Sequence, residues 1–431
     1  MRALYTLAMA LIAPIAFGWL GIRSRRQIGE PDAWRERCGH LPAKPHANPV
    51  WIHAASLGEA QAAQSLIEAL LAREQRPALL ITTFSATARQ HCRERYGDRA
   101  IVAALPYDLP LFVNRLLRDA QPQVAIFVET EIWPNLYRAL DRRQVPIAIM
   151  SARISSRAFG RYRRFRGLIA DSLARVATVG AQTQADAERF IALGAPAARV
   201  SVIGNLKFDR QAPAELAEQG AALRREWFCE RPVWVAGSTR EGEEAILLEA
   251  FKAIRQRHPD SALVLVPRHP ERASALAALA EAAGFDFRLY SNSRSPLDAA
   301  ILIVDTVGVL MQFYAAADVV FVGGTLVEIG GHNILEPAIL GRPVVTGTHL
   351  ANWRELAGEM AEAGGLTVVD GAAALADAVG RLLADDEARA QSGAAARASL
   401  ERNRGATERA LNLIDSLVTP RLAREARKRD S

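Results

Sequence analysis

Three short segments in the first half of the chain hold side chains suited to chemistry: HAASLGEAQAA (53–63), FVETEIWPNL (127–136) and GNLKFD (204–209). In the first, Ser56, Gly58 and Glu59 follow an apolar run and precede a helical pattern. A carboxylate there stands at a helix N-terminus, where the helix dipole favours it, and Gly58 permits a tight turn. Such a group can accept a proton from a sugar hydroxyl, with His53 and Ser56 to orient it; the same position also suits an ordinary helix-start glutamate. In the second segment Glu129 and Glu131 lie two apart at the end of a strand pattern, so their carboxylates are expected on one side, one fixing the other's protonation or holding a cation. In the third, Lys207 follows a strand and can neutralise a leaving phosphate, or serve as a surface charge.

The second half offers four loops with a different character. VAGSTREGEE presents Gly237, Ser238 and Thr239 ahead of a helix, a set of backbone and hydroxyl donors suited to phosphate oxygens. LVPRHPER puts Pro267 and Arg268 just after a strand, where a guanidinium can grip a phosphate or a base edge. DTVGVL supplies Gly308 between Val307 and Val309. FVGGTLVEIGGHNILEPA brackets a short excursion with two Gly-Gly pairs, after which Asn333, Ile334, Leu335 and Glu336 open a helix. Glycines admit a ligand close to the backbone, and a first-turn carboxylate can accept from ribose hydroxyls. Four such loops in one half point to a nucleotide site.

These residues must be positioned by the elements before them. Apolar runs alternate with helical periodicity beyond residue 48, the mark of βαβ units and parallel sheets. Expected strands are 50–54, 78–83, 124–129, 147–151, 178–182 and 200–204, then 233–236, 262–266, 301–304, 319–322, 343–346 and 366–369. The sequence therefore predicts an α/β chain with two Rossmann-like domains facing a cleft, 48–209 and 231–431, joined over 210–230 by a polar, alanine-rich stretch that reads as a linker followed by a helix. Neither half opens on G-x-G-x-x-G and no G-x-x-x-x-G-K-[ST] occurs, which removes the main evidence for a nicotinamide dehydrogenase or a P-loop NTPase. His53, His91, His269 and His332 are isolated along the chain, and no metal site is expected.

Ahead of the domains, Ala3–Ile22 carries no charge over 20 residues, about the hydrocarbon thickness of a bilayer, and Arg23, Arg25 and Arg26 follow. A membrane anchor over residues 1–22 is expected, with the rest of the chain on the cytoplasmic side by the positive-inside rule; Pro14 and Trp19 suit insertion into one leaflet equally well. Residues 23–47 form a basic juxtamembrane segment that suits anionic headgroups or a solvated linker. With Lys+Arg 53 against Asp+Glu 47, the net charge of +6 favours a membrane surface or an anionic substrate over a nucleic-acid groove. Cys38, Cys92 and Cys229 are scattered, so neither a disulfide framework nor a cysteine metal site is indicated.

With SLGE, LPYDLP, ETEIWPN, ARIS, GNLKFD, GSTREGEE, VPRHPER and VGGTLVEIGGHNILE in this order after an apolar N-terminus, the chain resembles the 3-deoxy-D-manno-octulosonic acid (Kdo) transferases of lipopolysaccharide synthesis over nearly its whole length. The resemblance implies a GT-B glycosyltransferase at the inner membrane that moves Kdo from CMP-Kdo to a lipid A precursor (lipid IVA), with no metal or other cofactor. It implies that Glu59 deprotonates the acceptor hydroxyl and that Glu129 and Lys207 stabilise the transition state. Pro267, Arg268, residues 307–309 and residues 333–336 are implied to hold the donor. The family pattern has Met and Glu where this chain has Val307 and Val309, and proline where it has Ile334. Two other readings fit the architecture: a nucleotide-sugar epimerase, which has no use for a membrane anchor, and a membrane-tethered nucleotide-binding protein, which leaves Glu59, Glu129 and Lys207 without a joint role.

Overall fold

The computed structural model describes residues 1–26 and 33–429. Its apolar runs become short parallel strands, the inner ones buried on both faces, as helix-covered sheets require. The first sheet holds β1 (Val50–His53), β2 (Leu79–Thr83), β3 (Ile101–Ala104), β4 (Val124–Val128), β5 (Ile147–Ala152), β6 (Thr178–Ala181) and β7 (Val200–Val202), in the order 3-2-1-4-5-6-7. The second holds β8 (Val233–Thr239), β9 (Ala262–Pro267), β10 (Phe287–Leu289), β11 (Ile301–Ile303), β12 (Val319–Val322), β13 (Val344–Thr346) and β14 (Leu366–Val368), in the order 10-11-9-8-12-13-14. Every pairing is parallel. These are two Rossmann-like domains, as expected. In each the strand order reverses next to the first strand, β1 beside β4 and β8 beside β12, and the crevice at such a point is where doubly wound sheets take ligands.

The division of the chain differs from the expected one. One unit comprises Met1–Arg210 and the chain from Asn403 onward; the other is Gln211–Arg402. The second domain therefore ends near 402 rather than 431. The helix Ala406–Arg429 returns to the first unit, where Ala406, Ala410 and Ile414 are buried in the same apolar cluster as Ile67 and Leu70. Asp209 receives the backbone N–H groups of Gly405 and Thr407, and Arg73 forks onto Asp415 with two contacts of 2.8 Å. Within the expected linker, Ala214–Leu223 is helical.

The apolar N-terminal run lies in one helix, Arg2–Arg26. A helix spanning the bilayer over Ala3–Ile22 is not supported: among the described residues no helix is long and apolar enough to cross a membrane. The first turns have polar partners on the domain instead. Tyr5 donates to Asp108 at 3.0 Å, Thr6 Oγ1 lies 3.0 Å from Asn135 Oδ1, and Ala13 is buried. Leu4, Leu7, Leu11 and Ile12 remain more than half exposed, at 71%, 58%, 68% and 54%. Residues 27–32 of the expected basic segment lie outside the described residues.

Candidate functional site

At the end of β1, Ser56 caps the helix Leu57–Ala62 by accepting from the Glu59 backbone N–H at 3.3 Å. The Glu59 carboxylate turns back over the same corner. Its Oε2 accepts from the Ala55 N–H at 2.6 Å and its Oε1 from the Ser56 hydroxyl at 3.1 Å, a variant of the capping box in which the carboxylate takes the N–H one residue before the N-cap. Burial, and next the negative charge of Glu131, push the Glu59 carboxyl up to about 7. Capping and acid–base readiness thus reside in one group. Gly58 is not the tight turn expected: it sits inside the helix without a positive φ, and a methyl group there would meet only Ser56 Oγ, at 3.9 Å.

The two carboxylates after β4 part company. The strand ends at Val128 and Glu129 takes a left-handed conformation, φ +62°, which ends the two-residue alternation. A non-glycine residue in that region carries backbone strain, a cost met often at functional sites. Glu129 pairs with Lys207, Nζ to Oε1 at 2.7 Å, whereas Glu131 Oε2 receives Trp133 Nε1–H at 2.9 Å and lies 3.5 Å from His53 Nε2. Lys207 is held in place because Asn205 Oδ1 accepts its backbone N–H at 3.0 Å. Beyond β5, the helix Ser156–Arg164 and its flanks expose Arg153, Arg157, Arg161, Arg163, Arg164 and Arg166 together with Phe165. Gly167, next in the chain, leaves room for the Met1 side chain, which places the start of the N-terminal helix beside this basic stretch.

The second unit builds its site around a buried glutamate that the sequence did not single out. Glu243 is fully buried, and its carboxylate accepts from the backbone N–H groups of Arg240 (2.9 Å), Gly324 (2.7 Å), Thr325 (2.9 Å) and Leu326 (2.9 Å). One carboxylate thereby fastens the loop after β8 to the Gly-Gly loop after β12. Close packing fixes the glycines too: a Cβ on Gly323 would collide with the Ser238 carbonyl, and one on Gly237 with the Tyr314 hydroxyl. The histidines isolated in the sequence meet in space. Arg240 Nε donates to His332 Nε2 at 3.0 Å, and its Nη1 lies 2.9 Å from His269 Nε2. Burial, then the positive charges of Arg240 and Arg268, lower His332 to about 4.

Around this cluster Pro267 ends β9, Arg268 is exposed, and Gly308 (φ +91°) sits in open space between the exposed Val307 and the half-buried Val309. Asn333 Oδ1 accepts from the Leu335 N–H at 3.1 Å, and Glu336 stands in the first turn of Leu335–Ile339, close enough to Tyr314 to help hold its phenol protonated. Ile334 and Leu335 are buried, so only their backbone can face a ligand. The sequence also passed over Arg240 and His332. Nothing in TREGEE distinguishes the buried Glu243 from the exposed Glu241, but the recurrence of Arg and His beside Gly-rich strand ends was a usable signal for Arg240 and His332.

A family profile described as "3-Deoxy-D-manno-octulosonic-acid transferase (kdotransferase)" matches residues 32–210, and one described as "Glycosyl transferases group 1" matches residues 233–385. A 3-deoxy-D-manno-octulosonic acid transferase of Haemophilus influenzae is 34% identical over 417 residues, 96% of this chain and 98% of that protein. The one from Bordetella pertussis is 36% identical over 432 aligned residues, 96% and 99% of the two chains. Among solved structures, a putative UDP-N-acetylglucosamine 2-epimerase from Listeria monocytogenes superposes with a TM-score of 0.57 over 86% of this chain and 96% of that one, at 17% identity. That likeness is one of fold.

Proposed function

The chain belongs to the 3-deoxy-D-manno-octulosonic acid transferase family of glycosyltransferases, and from that membership we propose that it transfers Kdo from CMP-Kdo to a lipid A precursor with inversion, Glu59 acting as general base. The observation that carries this reading is the Glu59 carboxylate, raised to about 7 at the carboxyl end of β1. A base acts best when its proton affinity matches the working pH. The acceptor oxygen forms the new bond to the anomeric carbon while its proton passes to Glu59. The bond from that carbon to the CMP phosphate breaks, and CMP leaves with the electron pair.

Lys207, held at 2.7 Å by Glu129, supplies a positioned positive charge for the phosphate as it becomes the leaving group. The donor is gripped by Arg268, by the backbone at Pro267 and residues 307–309, and by Asn333 and Glu336, with Ile334 and Leu335 contributing backbone alone. Arg240, His269 and His332 add positive and hydrogen-bonding capacity suited to a donor bearing both a phosphate and a sugar carboxylate. The exposed Leu4, Leu7, Leu11 and Ile12 and the arginines of 153–166 suit a chain resting on anionic inner-membrane lipid, the helix lying in the interface rather than crossing it.

The test is the full chain in detergent with CMP-Kdo and a lipid A precursor. The lipid product should gain Kdo by mass spectrometry in step with CMP release. CMP release without a heavier lipid, or no release, would refute the reading.

A further inference from the structure

Along the first turns of the helix Arg2–Arg26 the covered positions are Arg2, Tyr5, Thr6, Met9 and Ala13, one face at a spacing of three to four residues, whereas Leu4, Leu7, Leu11 and Ile12 stay exposed. The hydroxyls therefore turn towards the domain and the leucines away from it. Hydroxyls turned inward need partners, and one buried pair supplies them. Tyr5 donates to Asp108 Oδ2 at 3.0 Å, and Thr6 Oγ1 lies 3.0 Å from Asn135 Oδ1. Asp108 and Asn135 are joined in turn, Asn135 Nδ2–H donating to the Asp108 carbonyl at 2.8 Å.

Asp108 has a second task. The helix Pro134–Arg142 starts from Trp133, whose side chain makes no capping bond, and Pro134 at its first position has no N–H. The next two N–H groups, of Asn135 and Leu136, go to Asp108 Oδ2 and Oδ1 at 3.0 and 2.8 Å. A carboxylate 27 residues earlier in the chain is thus the cap of this helix. Only residues 129–133 separate the capped turn from the end of β4 at Val128. Within them the Glu129 N–H is pinned to the Met150 carbonyl at 3.0 Å, and the Glu131 carbonyl accepts from the Tyr137 hydroxyl at 2.6 Å. So short and so tethered a span has little slack, and a shift of the helix start falls on the segment in which Glu129 already holds a left-handed backbone.

We propose that Tyr5, Thr6 and Asp108 are positioning residues for the Glu129–Lys207 pair: the N-terminal helix is a strap whose first turns hold the cap of Pro134–Arg142 and, through it, the segment that presents Glu129 to Lys207. The inference rests on the reading of that pair as the support for the departing phosphate. Misplacement of a reacting or supporting group by about 1 Å can cost about 10² in rate.

Tyr5→Phe and Thr6→Val each remove one hydroxyl contact and leave the exposed leucines, Asp108 and the domain core in place. In the full chain in detergent with saturating acceptor, kcat should fall by about fivefold or more in the double variant, while KM for CMP-Kdo stays within about twofold of the wild type. A second readout is independent of turnover. With 5-fluorotryptophan in place of tryptophan, and the Trp133 signal assigned by its loss in Trp133→Phe, the fluorine resonance of Trp133 should shift in the double variant, because Trp133 stands between Glu129 and the cap. A loss of stability alone would move intensity to the unfolded position and leave the folded signal where it was. An unmoved folded signal, or a kcat within about twofold of the wild type, would overturn the proposal. Because the fluorine signal needs no substrate, failure of Kdo transfer and failure of the strap are told apart.

Discussion

Lys207 Nζ lies 2.7 Å from Glu129 Oε1 across 78 residues of sequence, joining the short helical turn after β7 to the strained residue after β4. The salt bridge does more than link two loops. A lysine so fixed has its charge in place before a phosphate departs, without the entropy loss that a free side chain would incur. Lys207→Met should lower kcat by about 10²–10³ with CMP affinity changed much less. Steady-state kinetics beside CMP titration checks this, and a fall in kcat of less than about threefold would remove Lys207 from the transition state.

Glu59→Gln preserves the capping geometry and cannot take a proton. Turnover should fall by about 10²–10⁴ while CMP affinity stays near the wild-type value. In the wild type, kcat/KM should rise with pH through about 7, since the ionised carboxylate is the active form. A profile flat from pH 5 to 8, or a Gln variant with near-normal turnover, would leave Glu59 as a helix cap alone.

Arg268→Ala and Arg240→Ala should each weaken CMP or CMP-Kdo binding by about tenfold or more, because hydrogen bonds to charged groups are worth about 1.5–3 kcal/mol. Glu336→Gln should weaken CMP through the ribose. Isothermal titration measures all three, and unchanged affinities with the fold intact would place the nucleotide elsewhere.

Asp108 gives a stability test. Its buried carboxylate accepts the N–H groups of Asn135 and Leu136 and the Tyr5 hydroxyl, and burial raises its carboxyl from 3.8 to about 6 despite these bonds. The folded state thus binds this proton more tightly than the unfolded one, so this group's contribution to stability declines as pH rises from about 4 to about 6 and is level above. Asp108→Asn should remove that part of the slope in the urea midpoint measured against pH. An identical slope in both proteins would contradict the assignment.

The membrane reading predicts that Leu4→Ser with Leu11→Ser reduces binding to anionic vesicles, and that added salt weakens what remains through the arginines of 153–166. Equal sedimentation of wild type and variant with such vesicles would refute it.

Strands flanked by others on both sides were plain in the sequence as unbroken apolar runs. The two that escaped notice, β3 and β10, stand at the edges of their sheets, and β10 carries the exposed Arg288 at its centre. Edge position accounts for β10 alone, since β3 is an apolar and almost wholly buried run and the other edge strands, β7 and β14, were expected. The placement of Glu59, Glu129 and Lys207 after β1, β4 and β7 was legible because the apolar runs ahead of them mark parallel strands. The separate partners of Glu129 and Glu131 were not, because a single left-handed residue resets which side each one faces. Glu243 was hidden for a related reason: its burial depends on four backbone N–H groups, three of them from a loop some eighty residues away.

The helix Ala406–Arg429 follows the whole second unit in the chain, yet it covers apolar surface formed by the first third of the chain. During synthesis the first Rossmann-like sheet must therefore wait, with the faces of Ile67 and Leu70 that Ile414 will cover still bare, while the whole second unit is made and has time to fold. A nascent chain stalled anywhere before residue 403 leaves that surface open to chaperones or to other unfinished copies, whereas synthesis of the helix Ala406–Arg429 seals it.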